Sequence, residues 1–594
     1  MIVLGIHIGH GASAALMNNG EIISCFQEER FTKIKNFQGY PKKSIQECLD
    51  YLYNKSLDID VVAFSSKFYF GEALKYPLQN FFSIGEFKSY YGEEYYDLKL
   101  QGKSTSNFFK KLKSIKEKKI KFKTILDNYP DKKLKSNKFL RSIFEKDLIK
   151  NSKVKISKIV YLDHHECHAS YAYYSIKKKD PKIAVLTLDS MGDFYNQTLW
   201  IPDKNNEIKN INRTNQCDLA RIYKFVTLIL SMKPNEHEFK VMGLAPYAKL
   251  SYAKIVYQNV FKNLLKVKNC KIVHKQRPKN LYSYLLSKLS SYRFDNIAGG
   301  LQIFLEQMTS DLLLQIKKKY KINKFSISGG VSMNIKMNMF LHNQKFVKKL
   351  YVAPTGTDDS LSIGACYAIS KNKSKELENI YLGRSLIKKN ILLKKKINSF
   401  LNKKTKYKLL RNVSSLTIAN LLSKGEIIAI ARGREEFGAR ALGNRSIIAN
   451  PSNLGVIKKI NEMIKNRDFW MPFALTILDE HKQKFIINKK GIDCKFMTIG
   501  FNTRINNLHL IKAGTHQYDN TVRPQFLDKK NNFPYYEIIN AFYKLTKIPA
   551  VINTSLNLHG YPISSSIDDV LFTFKNSGLK YILIENDLLI KKIK

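Results

Sequence analysis

"SISGGVSMN", residues 326–334, is the stretch on which the fold turns. A short apolar run ends in two glycines, and helix-compatible text follows. Gly329 and Gly330 carry no side chain, so backbone at such a turn can approach a ligand closely. Amides at the start of the next helix can then meet an anion. One diglycine turn is a weak signal, but the grammar recurs. "KIVYL" precedes helical text, "KIAVLTLD" precedes a loop, and "KKLYVA" precedes "PTGTDDS". Apolar strands that each end in a glycine or acidic turn predict an open α/β sheet, with ligands at the carboxyl ends of the strands.

Working outward, "IVLGIHI" leads into the loop "GHGAS", then "AALM", the turn "NNG" and "EIISCF". This pattern predicts a strand, a polar loop and a hairpin, with Gly20 supplying a positive φ. Taken with "GHGAS" and "PTGTDDS", the diglycine turn resembles the actin and sugar-kinase type of nucleotide cleft. From about residue 100 the text turns lysine-rich ("FFKKLKSIKEKKIKFK"), which predicts a surface helical insertion spanning about 85–155. "SKNKSKELENIY" marks a boundary. The expected organisation is a first domain over 1–375, a linker over 376–400 and a second α/β unit over 401–594.

At 594 residues the chain is long enough for several domains, and its composition is that of a globular protein. No apolar run approaches the roughly 20 residues a membrane helix requires. The opening lacks a basic leader, and the seven cysteines are scattered without paired spacing. Both features predict a cytoplasmic protein with reduced thiols. The net charge of +51 invites a nucleic-acid reading. However, only 15 of the 100 basic residues are arginine, and a solvated lysine surface accounts for the rest. Nucleic acid is not an expected partner. Five of the fifteen arginines (Arg432, Arg434, Arg440, Arg445 and Arg467) fall within 36 residues. Arginine grips phosphate or carboxylate with a planar fork that lysine lacks, so this cluster predicts an anion site.

"YLDHHECHASYAYY", residues 161–174, holds three of the twelve histidines. Asp163 is the expected N-cap of a helix on which His164 and His168 share a face at i and i+4. A zinc-protease helix needs His-Glu-x-x-His; here His165-Glu166-Cys167-His168 is one residue short. Asp189, closing "KIAVLTLD", and Asp358, in "PTGTDDS", are the natural further ligands. Two imidazoles and two carboxylates suit Fe²⁺, Zn²⁺ or Mn²⁺. The other reading of these residues is core histidines with loop and capping aspartates.

Together "GHGASAAL", "EERF", "DHHECHAS", "LTLDSMGD", "KPNEHEFKVMGLAPYA", "SGGVSMN", "TDDSLSIGA", "GREEFGARALGNRSI", "RDFWMPFA" and "INTSLNLHGYPI" resemble the nodulation-factor and antibiotic-tailoring (NodU/CmcH) carbamoyltransferases. The resemblance runs in order along nearly the whole chain. It implies an actin-like (ASKHA) N-terminal domain similar to tRNA threonylcarbamoyl-transfer proteins, and a YrdC-like C-terminal domain. It also implies ATP-dependent O-carbamoyl transfer from carbamoyl phosphate, through carbamoyl-adenylate, to a hydroxyl of a small-molecule or glycan acceptor. The implied metal ligands are His164, His168, Asp189 and Asp358, with iron as the ion and Mg²⁺ accompanying ATP. His10 is implied in the transfer step. Lys240, Gly329, Gly330 and Asn334 are expected at the nucleotide. Arg440, Arg445, Lys465, Arg467, Arg523, Asn553 and Ser555 are expected at carbamoyl phosphate. The sequence leaves a homodimer open.

Four departures stand out. Gly11 follows His10 where the motif usually has aspartate, Ala439 stands for a frequent proline, Met471 for a common arginine, and Tyr561 for a frequent glutamate. The alternatives are a tRNA threonylcarbamoyl-transfer enzyme, against which the fused arginine-rich unit counts, and a non-catalytic polyanion-binding protein. A sugar kinase would need an aspartate base and an Asp-x-Gly loop, which "HIGHGAS" lacks.

Overall fold

The structure, a computed structural model, describes residues 1–71, 74, 78–104, 108, 124–126, 128–130, 132–177, 179–386, 390–402 and 407–592. The chain forms two compact units. One comprises Met1–Glu29 and Asn36–Leu377, the other Arg30–Lys35 and Glu378–Lys594. The helix expected on the lysine-rich text falls almost wholly outside the described residues. Its flanks are helical at Ile84–Tyr91 and Asn137–Asn151. The stretch expected to be a linker contains much of a helix, Asn390–Asn402.

The first unit is built on two five-stranded sheets. Strands β1 (Ile2–His7), β2 (Ser13–Asn18), β3 (Glu21–Gln27), β4 (Val61–Phe64) and β5 (Ile159–Tyr161) lie in the order β3-β2-β1-β4-β5. Strands β6 (Ala184–Gly192), β7 (Tyr195–Pro202), β8 (Ile208–Thr214), β9 (Lys324–Ser328) and β10 (Lys349–Val352) repeat it as β8-β7-β6-β9-β10. In both sheets the first three strands form an antiparallel meander and the last two run parallel to the first. This duplicated pattern is the actin-like architecture. Strand β1 is almost wholly apolar, and both β1 and β9 are buried almost throughout, as sheets covered on both faces demand. The turn after β2 has Asn19 at φ 47° and Gly20 at φ 80°, the left-handed pair that a two-residue hairpin selects.

Helix α1 (His164–Tyr174) is buried on nearly every side, and α2 (Leu361–Ser370) is almost uniformly apolar. Two glycines bring these elements together. A Cβ on Gly364 would overlap the Cys167 carbonyl, and one on Gly5 would overlap the Ser362 carbonyl. The absent side chains therefore seat α2 directly against both α1 and β1. That seating fixes the turn before α2, which carries Asp358, beside the first turns of α1.

The second unit is one mixed sheet. Its strands are β11 (Tyr407–Leu410), β12 (Ile428–Ala431), β13 (Arg445–Ala449), β14 (Ala474–Leu478), β15 (Pro524–Leu527), β16 (Ala550–Ser555), β17 (Tyr581–Ile584) and β18 (Asp587–Lys591). They are ordered β11-β18-β17-β12-β13-β16-β14-β15. Among the described residues no helix is long and apolar enough to cross a membrane. All seven cysteines are free and buried.

Candidate functional site

The first site forms where four segments of the first unit meet. Asp163 caps α1 by accepting from the amides of His165 (2.9 Å) and Glu166 (3.0 Å), which starts the helix at His164. His168 follows one turn later on the same face. Asp189 lies on β6, which continues beyond it to Gly192 rather than ending in the loop the sequence suggested. Asp358 opens the turn before α2. His164 Nε2 lies 3.3 Å from Asp189 Oδ2 and 3.7 Å from Asp358 Oδ1; His168 Nε2 lies 3.5 and 3.3 Å from the same atoms. The four donor atoms all fall within 4.8 Å of one another.

The electrostatics fit a cation. Burial alone would lower the His164 pKa, but the Asp189 hydrogen bond and the Asp358 charge outweigh it and raise it to about 9. His168 is raised for the same reasons, and its partners hold Asp189 well below the ordinary carboxylate range. Without an ion, protons supply the positive charge the aspartates demand. His168 Nε2 is buried and meets the two carboxylate oxygens at 3.3 and 3.5 Å, contacts too poorly aligned to satisfy it fully. Two neutral imidazoles and two carboxylates would satisfy a borderline divalent ion. Outside the four, Ser328 reaches His168 Nδ1 at 3.4 Å, and the Gly330 amide donates to Asp189 Oδ1 at 3.2 Å. Gly329 adopts φ 93° and lies against the Leu188 carbonyl. The diglycine turn is thus tied to the acidic cluster. Asn334 caps the helix Ile335–Asn343 and exchanges hydrogen bonds with Gln302. Lys240 sits on a separate helix, Glu238–Leu244.

His10 occupies a two-residue strand paired with Gln38–Gly39, and its Nε2 is buried without a hydrogen-bond partner. Next to it Gly11, at φ 72°, lies against the backbone of Asp359, the neighbour of Asp358. Sequence reasoning missed His7. Its Nε2–H donates to the His10 carbonyl at 3.0 Å and its Nδ1 accepts from Ser65 Oγ at 2.8 Å. A carbonyl only accepts, so that bond fixes the tautomer. Burial pushes His7 down to about 4, so it is neutral at physiological pH. Its ring meets that of His164 edge-on at 6.3 Å. The available signal was the spacing of two histidines three apart at the end of an apolar strand.

The second site lies in the second unit. Arg440, Arg467 and Arg523 are half-buried, and among the described residues none forms a salt bridge. Burial pushes Arg440 down to about 10. Burial plus the Arg440 charge does the same to Arg467, and burial plus both neighbours pulls Arg523 well below the ordinary guanidinium value. Arg467 donates to Thr554 Oγ1 at 3.0 Å and lies over the Phe473 ring, while the buried Arg523 Nε has no partner. Lys465 is buried and donates to Asn557 Oδ1 at 2.7 Å, to Ser555 Oγ at 3.3 Å and to the Ser555 carbonyl. Concentrated positive charge without acidic partners is an anion site in waiting.

Arg445 and Asn553 occupy different positions. The Arg445 guanidinium, fully buried, donates to the carbonyls of Arg384, Arg432, Gly433, Asn444 and Ser565. It pins loops. Glu436 complements it, accepting from the amides of Leu442, Asn444 and Arg445. Asn553 braces β16, donating to the Ala441 carbonyl and Thr476 Oγ1. The long motif "GREEFGARALGNRSI" therefore mixes buried scaffold with the half-buried charge of Arg440.

With both sites in place, comparison with known proteins gives the class. The family pattern described as Carbamoyltransferase N-terminus matches residues 2–367, and that described as Carbamoyltransferase C-terminus matches residues 419–592. The chain belongs to the carbamoyltransferase family and is a transferase. It is 30% identical over 605 residues to uncharacterized protein MJ1051 of Methanocaldococcus jannaschii, covering 100% of both chains. Nodulation protein NolNO of Sinorhizobium fredii is 26% identical over 98% of this chain and 79% of its own. Nodulation protein NolO of Bradyrhizobium diazoefficiens is 27% identical over 71% of this chain and 78% of its own. Membership sets aside the non-catalytic polyanion reading.

Proposed function

We propose that this carbamoyltransferase takes its carbamoyl group from carbamoyl phosphate, activates it with ATP as carbamoyl-adenylate, and passes it to a hydroxyl of a small-molecule or glycan acceptor. The observation that carries the reading is the trio Arg440, Arg467 and Arg523, three guanidiniums close enough to depress one another and, among the described residues, without a salt bridge. A small dianion supplies what the trio lacks, and charge-assisted bonds to phosphate in fixed geometry are the strong ones. Lys465 and Ser555 border the same region through β16. We assign Arg445 and Asn553 to holding that pocket's walls.

In activation, water cleaves carbamoyl phosphate to carbamate and phosphate, and the carbamate oxygen then attacks the α-phosphorus of Mg²⁺-bound ATP, displacing pyrophosphate and leaving the carbamoyl group on AMP. In the transfer step the acceptor oxygen attacks the carbamoyl carbon, its proton goes to His10 Nε2, and AMP leaves. An imidazole nitrogen with no competing partner suits that role. His7 holds the His10 backbone from behind. A divalent metal, iron(II) in our assignment, held by His164, His168, Asp189 and Asp358, would supply positive charge against a phosphate oxygen of the leaving group. Lys240, Gly329, Gly330 and Asn334 are assigned to the nucleotide.

The reading is tested by incubating purified protein with ATP, Mg²⁺ and carbamoyl phosphate, without acceptor. Pyrophosphate release that requires carbamoyl phosphate supports it. Release of ADP in place of pyrophosphate and AMP would overturn it.

A further inference from the structure

The hairpin joining β6 to β7 turns through Asp193 and Phe194, which both adopt left-handed backbone, at φ 42° and 73°. Asparagine and glycine are the residues such a turn selects. Aspartate tolerates it, but a bulky aromatic there is an outlier that the surroundings must hold in place. The Phe194 ring is not buried in compensation: 54% of the residue is exposed. Beside it stands Phe68, 46% exposed, from the segment that follows β4. The two rings lie 4.8 Å apart and are splayed by 58°.

One carboxylate holds this pair and ties it to the metal cluster. Asp193 Oδ1 accepts from Ser66 Oγ (2.7 Å) and the Phe68 amide (3.1 Å), and Oδ2 accepts from the amides of Lys67 (2.9 Å) and His164 (2.9 Å). The turn also packs directly on His164: a Cβ on Gly192 would overlap that imidazole, so the absent side chain allows the close approach. An exposed aromatic pair, kept at a backbone position where a smaller residue would sit more easily, therefore borders the proposed transfer centre.

We propose that Phe68 and Phe194 form a platform for the acceptor, and that the acceptor is a carbohydrate presenting the C–H face of a pyranose ring. This rests on the transfer reading above. A pyranose has an apolar face for aromatic rings and hydroxyls around its edge, so stacking on the platform leaves a hydroxyl free to point at the adjoining centre. Two rings splayed by 58° can meet C–H bonds that leave a puckered chair in different directions. Phe68 and Phe194 are specificity residues in this scheme, and Asp193 is a positioning residue.

The test is saturation-transfer difference NMR on the full chain. The probes are methyl β-D-glucopyranoside, methyl β-D-galactopyranoside and methyl N-acetyl-β-D-glucosaminide, with acyclic sorbitol as the control. Wild type should transfer saturation to the ring C–H protons of at least one pyranoside and not to sorbitol. Phe194→Asn and Phe68→Ala should weaken that signal at least fivefold. Asparagine accepts left-handed backbone, so the Phe194→Asn midpoint of thermal unfolding should match or exceed that of wild type. The proposal is overturned by no signal from any pyranoside, by equal signal from sorbitol, by unchanged signal in both variants, or by a Phe194→Asn midpoint lower by several degrees. Pyrophosphate release by the wild-type protein tests the transfer reading separately. Sugar binding without release would sink that reading alone, and release without sugar binding would sink the platform alone.

Discussion

Replacing Arg440 by methionine should make the protein more stable and less able to hold an anion. The Arg440 guanidinium is pushed down to about 10 by burial, and its charge in turn depresses Arg467 and Arg523. A fall of that size from the ordinary guanidinium value corresponds to about 3 kcal/mol against the charged form. Because the side chain is half-buried, solvent screening reduces the effect to about 1–2 kcal/mol. Methionine keeps the hydrophobic stem and removes the charge, so the midpoint of thermal unfolding should rise by about 2–8 °C. Binding should move the other way. A hydrogen bond to a charged group contributes about 1.5–3 kcal/mol, so affinity for inorganic phosphate or carbamoyl phosphate should fall about 10–150-fold. Differential scanning fluorimetry across a phosphate titration reads both effects at once. Wild type should gain stability steeply with phosphate, and Arg440→Met should start higher and gain little. A lower starting midpoint in the variant, or equal phosphate shifts in the two proteins, would refute the idea that charge is stored there for an anion.

Arg445, five residues along, should behave in the opposite way: Arg445→Gln strands several buried carbonyls and should destabilise by about 3–5 kcal/mol, read by urea unfolding. His168→Ala should lower iron affinity by more than the roughly 10–100-fold that losing an outer partner costs, measured by metal analysis after dialysis against graded chelator. Gly192→Ala, which forces a methyl into the His164 ring, should lose metal to a comparable extent while the far-ultraviolet circular dichroism stays native. Glu306 is raised by burial to about 7, so the folded state binds the extra proton between about pH 4.5 and 7. Its stabilising share is complete below pH 4.5 and lost as pH rises through 7. Glu306→Gln, which still accepts from Gln302, should flatten stability across that window and gain up to about 3 kcal/mol at pH 8.

The α/β fold was legible because its signals are local. Strand β1 reads as an almost unbroken apolar run, β9 ends in the diglycine turn, Asn19–Gly20 announces its hairpin, and Asp163 announces the start of α1. The meeting of His164, His168, Asp189 and Asp358 was foreshadowed by helix periodicity and strand ends, and Gly364 and Gly5 supply the close packing that brings it about. What escaped depends on partners distant in sequence. Asp193 is an ordinary turn residue until its carboxylate is seen bridging Ser66 and His164. Arg440 and Arg445 are indistinguishable in a string of letters, since only the fold decides which guanidinium meets carbonyls and which meets other guanidiniums. Asn334 reads as a ligand residue in the diglycine motif, and the structure adds that its side chain caps a helix, which the sequence did not announce. Capping and ligand binding draw on the same short amide, so the sequence does not separate them.

Formation of a carbamoyl-adenylate is the step on which the proposed function stands or falls. It is tested most directly by mass spectrometry of quenched reactions holding the protein, ATP, Mg²⁺ and carbon-13-labelled carbamoyl phosphate, with no acceptor. An adenylate carrying the label is expected from the wild-type protein and not from Arg440→Met. Consumption of ATP with the label recovered only as carbamate or cyanate, and none on AMP, would contradict it.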